Sequence, residues 1–214
     1  MISIYKNKID KYWIKSINKE LDQIKFKDSL WIFPGENPLL YKKVQIMICK
    51  NRFLKKIIGK KDNYIVLRLV NENDKKRSFE AHFDNYIETF YIPLLIPKNL
   101  KRIDGTRKNL NGDLYFWEKA RKMPKNILSH IISKGFFQNF LTQQILKNCF
   151  LGKFKTIRVD VGDILRFNGF TTLHYNSPVS SEHRSLVIHN TMPFHANRIA
   201  KLIDNYSRIR VRKK

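Results

Sequence analysis

The apolar positions of this chain change their period near residue 64. Between 9 and 26, IDKYWIKSINKELDQIKF sets Ile9, Trp13, Ile14, Ile17, Leu21 and Ile24 at three- and four-residue steps, which predicts an amphipathic helix. After the breaker PGENP (34–38), LLYKKVQIMICKNRFLKKII (39–58) repeats that pattern. Beyond 64 the texture becomes β-branched and aromatic with partial alternation. It predicts strands in YIVLRLV (64–70), RSFEAHF (77–83), IETFYIPLLI (87–96) and GDLYFW (112–117). KNILSHIISKGFFQNFLTQQILKN (125–148) predicts a helical insertion, with Gly135 as the point where it divides. Strand texture returns in KTIRVD, DILRFN, FTTLHY and RSLVIHN, between 155 and 190. Short strands on both sides of an insertion, without a βαβ rhythm, predict a mainly β fold: an antiparallel sandwich or barrel with flanking helices.

No repeat or linker divides the 214 residues, so a single domain is expected. Its parts are a helical N-terminal support over 1–60, a β-rich body over 64–190 carrying a helical insertion over 120–150, and a basic tail over 191–214. A hydrophobic fraction of 43% and fifteen phenylalanines exclude a disordered chain. The net charge of +24 favours an anionic partner, whether nucleic acid, an acidic membrane surface or a charged substrate. Cys49 and Cys149 are too few for a disulfide framework and belong to no zinc-like cluster, so two buried thiols in a reducing compartment are expected. The N-terminus lacks the apolar core of a signal peptide, and YIPLLIP (91–97) falls short of the ~20 residues a membrane span needs. A cytoplasmic location is expected, with contact at the inner face of the membrane as its peripheral form. The segment 42–61 has eight Lys or Arg and no acid among its apolar residues. It reads either as a helix packed on the barrel or as one lying on an anionic membrane.

Polar residues intrude on this β pattern at two places. His82 and Asp84 are two apart in AHFDN, so on an extended strand they share a face and supply two neighbouring metal ligands. His174, in an otherwise apolar strand, is the natural third. Two histidines and one carboxylate on one side of a divalent ion are the facial set of non-haem iron(II) oxygenases. His183, His189 and His195 crowd the same end and stay outside this ligand set, while His130 reads as packing.

The succession His82-Phe83-Asp84, His174 and Arg184 resembles the iron(II)/2-oxoglutarate-dependent dioxygenases, most closely the phytanoyl-CoA-dioxygenase-like branch. The distal part reads Gly162-Asp163, ILRFNGFTTL, His174, YNSPVSSEH, Arg184-Ser185-Leu186, and the resemblance covers about residues 64 to 190. It implies a double-stranded β-helix (a cupin-like jelly roll), with Fe(II) on His82, Asp84 and His174 as the catalytic centre and 2-oxoglutarate and O2 as co-substrates. It assigns Arg184 to the distal carboxylate of 2-oxoglutarate, a task suited to the two-pronged guanidinium. Thr89 and Tyr91, on one face of the next strand, are expected to donate hydroxyl hydrogen bonds to it.

The expected activity is hydroxylation of an anionic substrate, with the Kdo sugar of lipopolysaccharide at the membrane surface as the family member's substrate that suits a basic enzyme. A small metabolite or an acyl thioester is the alternative. Nucleic-acid-demethylating relatives carry a second arginine about six residues after the first; here that place is Asn190, and the next arginine is Arg198. A different class remains: a non-catalytic jelly roll that grips nucleic acid or phospholipid by charge.

Overall fold

The computed structural model describes residues 2–33, 35–58, 64–72, 80–97 and 112–190. Their strands form two antiparallel sheets. The larger has the order β1 (Ser3–Tyr5), β7 (Ile164–Phe167), β4 (Glu88–Leu95), β9 (His183–Asn190), β3 (Tyr64–Val70), β2 (Ser29–Ile32). The smaller has the order β6 (Lys155–Ile157), β5 (Leu114–Trp117), β8 (Leu173–Asn176), and an isolated bridge between His82 and His174 extends it. The fold is a jelly roll with flanking helices.

Each sheet has a helix-covered face and an inner face, and strand parity decides which side chains go where. In the large sheet, Leu67, Leu69, Phe90, Ile92, Leu94, Ile164, Leu186 and Ile188 join the outer core with α1 (Lys11–Leu21), α2 (Pro38–Lys50) and α3 (Arg52–Ile58). Their neighbours Tyr91, Leu165 and Phe167 turn inward, where they meet Leu114 and Phe116 of the small sheet and fill the barrel. Behind the small sheet, Phe83, Leu173 and Tyr175 pack against Leu146 of α5 (Phe140–Cys149) and Phe137 of α4 (Ile127–Gln138).

Helix starts follow their caps. Asp10 accepts from the Tyr12 amide; Asn37 accepts from Leu40 with Pro38 in the first turn; Asn126 and Ser129 form a reciprocal capping box. Gly135 does not divide the insertion. α4 runs through it and ends at Asn139, whose side chain caps α5 by accepting from the Leu141 amide. Segment 39–58 also forms two helices, because Asn51 ends α2 and its side chain accepts from Leu54 in α3.

Two expectations are corrected, on the N-terminal sixty residues and on the cysteines. The N-terminal sixty residues are not only helical support, since β1 and β2 extend the large sheet at opposite edges. The 42–61 segment, as far as it is described, buries Val44, Met47 and Leu54 against the barrel. Cys49 and Cys149 are exposed rather than buried. No helix among the described residues is long and apolar enough to cross a membrane. The basic tail, with His195, and the strand start at 77–79 lie outside the described residues.

Candidate metal centre

The segment that carries His82 and Asp84 is extended, forms a single β-bridge rather than a full strand, and needs holding on both sides. On its inner edge, His82 and His174 exchange backbone hydrogen bonds (2.9 and 3.1 Å), and the Asp84 amide donates to the Gly169 carbonyl at 2.9 Å. On its outer edge no strand follows among the described residues. The side-chain amide of Gln143 in α5 takes that place, accepting from the Ala81 amide at 3.0 Å and donating to the Ala81 carbonyl at 2.7 Å. Phe83, between the two polar residues, points the other way into the core under α4 and α5. Parity therefore turns His82 and Asp84 inward together.

There they meet His174. One ligand atom from each of the three lies within 4.8 Å of the other two. Both imidazoles aim Nε2 at the same oxygen, Asp84 Oδ1, at 3.9 Å from His82 and 3.7 Å from His174. Their other nitrogens are already committed: Nδ1 of His82 donates to the Glu80 carbonyl (2.8 Å), and Nδ1 of His174 donates to the Thr172 carbonyl (3.2 Å). A donor bond at Nδ1 leaves the Nε2 lone pair facing the centre, the arrangement a metal-binding histidine requires. The second carboxylate oxygen, Asp84 Oδ2, accepts from the Thr89 hydroxyl at 2.6 Å, and His189 Nδ1 lies 3.2 Å from that hydroxyl.

The charge states suit a cation. Burial pulls the Asp84 carboxyl upward, but His174, His189, His82 and the Thr89 hydrogen bond outweigh it and hold it well below the usual range. Burial, reinforced by His174, pushes His82 down to about 4, and burial also lowers His174. At neutral pH the three groups are one carboxylate and two neutral imidazoles, which is a hard-to-intermediate donor set for a divalent first-row metal.

These buried histidines set a pH dependence. Burial lowers His183 to about 3 and His130 to about 3, from an ordinary value of 6.5. Between those values the unfolded chain binds protons that the native chain refuses, so stability falls as pH falls below 6.5. His183 and His130, with His174, dominate this effect, because the His82 ring is more open to solvent. Thermal melts of the metal-free protein, followed by circular dichroism, should show a midpoint that drops steadily from pH 6.5 to about 4. A flat midpoint across that window would contradict it.

The other predicted residues fare differently. Thr89 faces inward, but its hydroxyl is engaged by Asp84. Tyr91 also faces inward, and its hydroxyl shares a 2.8 Å hydrogen bond with Nε2 of the buried His183. A small solvent-open cleft adjoins this pair, lined also by Gly112, Leu114 and Val159. Arg184 does not reach the interior. On β9, Leu186 and Ile188 enter the helix-side core, so Arg184 shares their outward direction. Its guanidinium binds both carboxylate oxygens of Glu182 (2.6 and 3.0 Å), the Asn18 carbonyl (3.0 Å) and Asp22 (2.7 Å), tying β9 to the end of α1.

Sequence reasoning left His183 and His189 outside the ligand set, where they remain, and missed two residues that share their inner face: Arg68 on β3 and Ser185 on β9. Alternation in YIVLRLV would have found Arg68, since Leu67 and Leu69 flank it as core positions.

No family model and no curated protein matches the chain. Solved structures do. HygX from Streptomyces hygroscopicus, with nickel and 2-oxoglutarate bound, aligns over 89% of this chain and 83% of its own with a TM-score of 0.55 and 9% identity. A prolyl hydroxylase from Trichoplax adhaerens, in complex with a hypoxia inducible factor oxygen degradation domain peptide fragment, aligns over 89% and 83% with a TM-score of 0.52 and 10% identity. The chain shares their fold.

Proposed function

We propose that the chain is an iron(II)- and 2-oxoglutarate-dependent oxygenase that hydroxylates a C–H bond of an anionic substrate. The observation that carries this reading is the convergence of two imidazole Nε2 atoms on one oxygen of Asp84 inside an open jelly roll. His82, Asp84 and His174 would hold the metal from one side and leave positions open on the other. Nickel and 2-oxoglutarate bound to HygX, whose fold the chain shares, support the same pairing here.

When bound, iron(II) with 2-oxoglutarate and O2 supplies the oxidation, converting the oxo acid to succinate and CO2 while a substrate C–H becomes C–OH. The protein's part is geometric. The carbonyls of Glu80 and Thr172 fix the imidazole tautomers, and Thr89 fixes the carboxylate. Phe116 and Phe167 pack against the His174 ring, 6.0 and 4.8 Å between centroids, and keep water from that side. Tyr91 is the hydroxyl we assign to the co-substrate.

The charge of +24 supports an anionic substrate. Phe136, Phe140, Leu141 and Ile145 stand exposed on α4 and α5, the hairpin that braces the ligand strand, and support one with an apolar portion. A lipid carrying the sugar Kdo combines the two, with the enzyme working at the inner face of the membrane. A small metabolite, an acyl thioester, or a peptide as in the Trichoplax complex are the competing substrates.

Anaerobic titration with iron(II) and 2-oxoglutarate tests the reading. The wild-type protein should develop the weak visible charge-transfer band of the chelate, and His174→Ala should lose it. With the band established, succinate release identifies which substrate class couples. A wild-type protein that binds no divalent metal would refute the oxygenase and leave the non-catalytic basic jelly roll as the account.

A further inference from the structure

With Arg184 turned to the helices, the barrel interior needs another cation if it is to hold a dicarboxylate. We propose that Arg68, on β3, takes the distal carboxylate of the oxo-acid co-substrate together with the hydroxyl of Ser185. This rests on the oxygenase reading and names which of the chain's own residues select the co-substrate.

Three observations converge on this point. First, Arg68 faces inward by parity, because Leu67 and Leu69 on either side of it are fully buried in the helix-side core. Its Nη1 donates to Asn176 Oδ1 at 2.8 Å, so the guanidinium reaches from the large sheet to β8 in the small one. Asn176 lies two residues beyond His174 on the same face, about 7 Å along the strand. That is a span suited to a five-carbon diacid chelating the metal at one end.

Second, Arg68 lies directly opposite Ser185 in the β3–β9 ladder, so the two side chains stand on the same face as neighbours. Ser185 is fully buried, and its Oγ has no hydrogen-bond partner among the described residues. A buried hydroxyl without a partner is a cost to the fold that a ligand can relieve. A carboxylate seated against Arg68 is the ligand that would use both.

Third, the electrostatics of the surrounding wall agree. The positive charge of Arg68 is felt at Tyr91, His174 and His183, which places it among the inward groups rather than at the rim. The Tyr91–His183 pair, half a strand away on β4 and β9, supplies neutral hydrogen-bonding groups beside that charge. Arg184 is held on the helix side by Glu182 and Asp22.

The test compares 2-oxoglutarate with pyruvate, which has the same chelating end and no distal carboxylate. Iron(II)-loaded protein is titrated anaerobically with each, reading the chelate band, for the wild type and for Arg68→Met, Arg68→Lys, Ser185→Ala and Arg184→Met. The wild type should prefer 2-oxoglutarate. Arg68→Met should lose about tenfold to a hundredfold of that preference while its pyruvate affinity holds, the size of a charge-assisted hydrogen-bond pair. Arg68→Lys, which keeps the charge and loses the fork, should fall between, and it serves if the methionine variant does not fold. Ser185→Ala should lose a few-fold, and Arg184→Met should keep the preference while melting earlier. If iron binds and 2-oxoglutarate is preferred equally by wild type and both Arg68 variants, or if Arg184→Met abolishes the preference, the inference is wrong and the oxygenase reading stands. If the wild type binds neither iron nor 2-oxoglutarate, both fall.

Discussion

Replacing Gly169 by alanine should cost the protein about a hundredfold in affinity for a divalent metal, although Gly169 ligates nothing. A methyl group at this position would lie 2.6 Å from both Cβ and Oδ2 of Asp84 and 2.7 Å from the Thr89 hydroxyl. Real atoms do not approach so closely, and neither neighbour has an easy retreat. The Asp84 amide is tied to the Gly169 carbonyl itself, and the carboxylate is held between Thr89 and the two imidazoles. The added carbon must therefore push the carboxylate off its line to His82 and His174. Manganese(II) titration of Gly169→Ala beside the wild type measures the loss, and unchanged affinity would show that Asp84 does not need its present position to hold the ion.

The second large effect is on stability. Phe83→Ala should destabilise the fold by about 3–5 kcal/mol, a major share of what a domain of this size possesses. Phe83 is fully buried, meets Phe137 edge-on at 5.0 Å between centroids, and lies under the Arg121 guanidinium at 3.9 Å. Arg121 is fixed in turn by the Phe170 carbonyl and Ser133, so the aromatic ring is the joint between the ligand strand and α4. Chemical denaturation of Phe83→Ala and Phe83→Leu should rank wild type, leucine, alanine. A loss below about 1 kcal/mol for the alanine variant would mean that the strand is anchored elsewhere.

Much of the architecture was legible because its strands carry a strong local signal. YIVLRLV, IETFYIPLLI and RSLVIHN form β3, β4 and β9 nearly as the pattern predicts. The two N-terminal strands were not legible: three and four residues long, they lie among helices and gain their conformation from β7 and β3 beside them. At the site, the two-residue spacing of His82 and Asp84 and the isolated polarity of His174 pointed to three side chains that the fold does bring together. The face of β9 was beyond local reading. Leu186, Val187 and Ile188 are consecutive and apolar because the strand is covered on both sides, so nothing in the alternation told whether His183 or Arg184 turned inward. The helix core settled it. Gln143 had no signal at all, since a glutamine on an amphipathic helix looks like any solvated one until the bare strand edge is set against it.

That glutamine has a consequence for how the centre comes into being. His82 and Asp84 are separated from His174 by about ninety residues, and the segment bearing them is pinned by the His174 bridge and the Gly169 carbonyl on one side and by the Gln143 amide on the other. Contacts of such sequence separation close late, after the local helices have formed. The ligand set is then expected to be complete only once α5 has docked and supplied its amide. Occupancy of the centre thus reports the last act of assembly, and an ion that favours the finished set holds the hairpin in place by mass action.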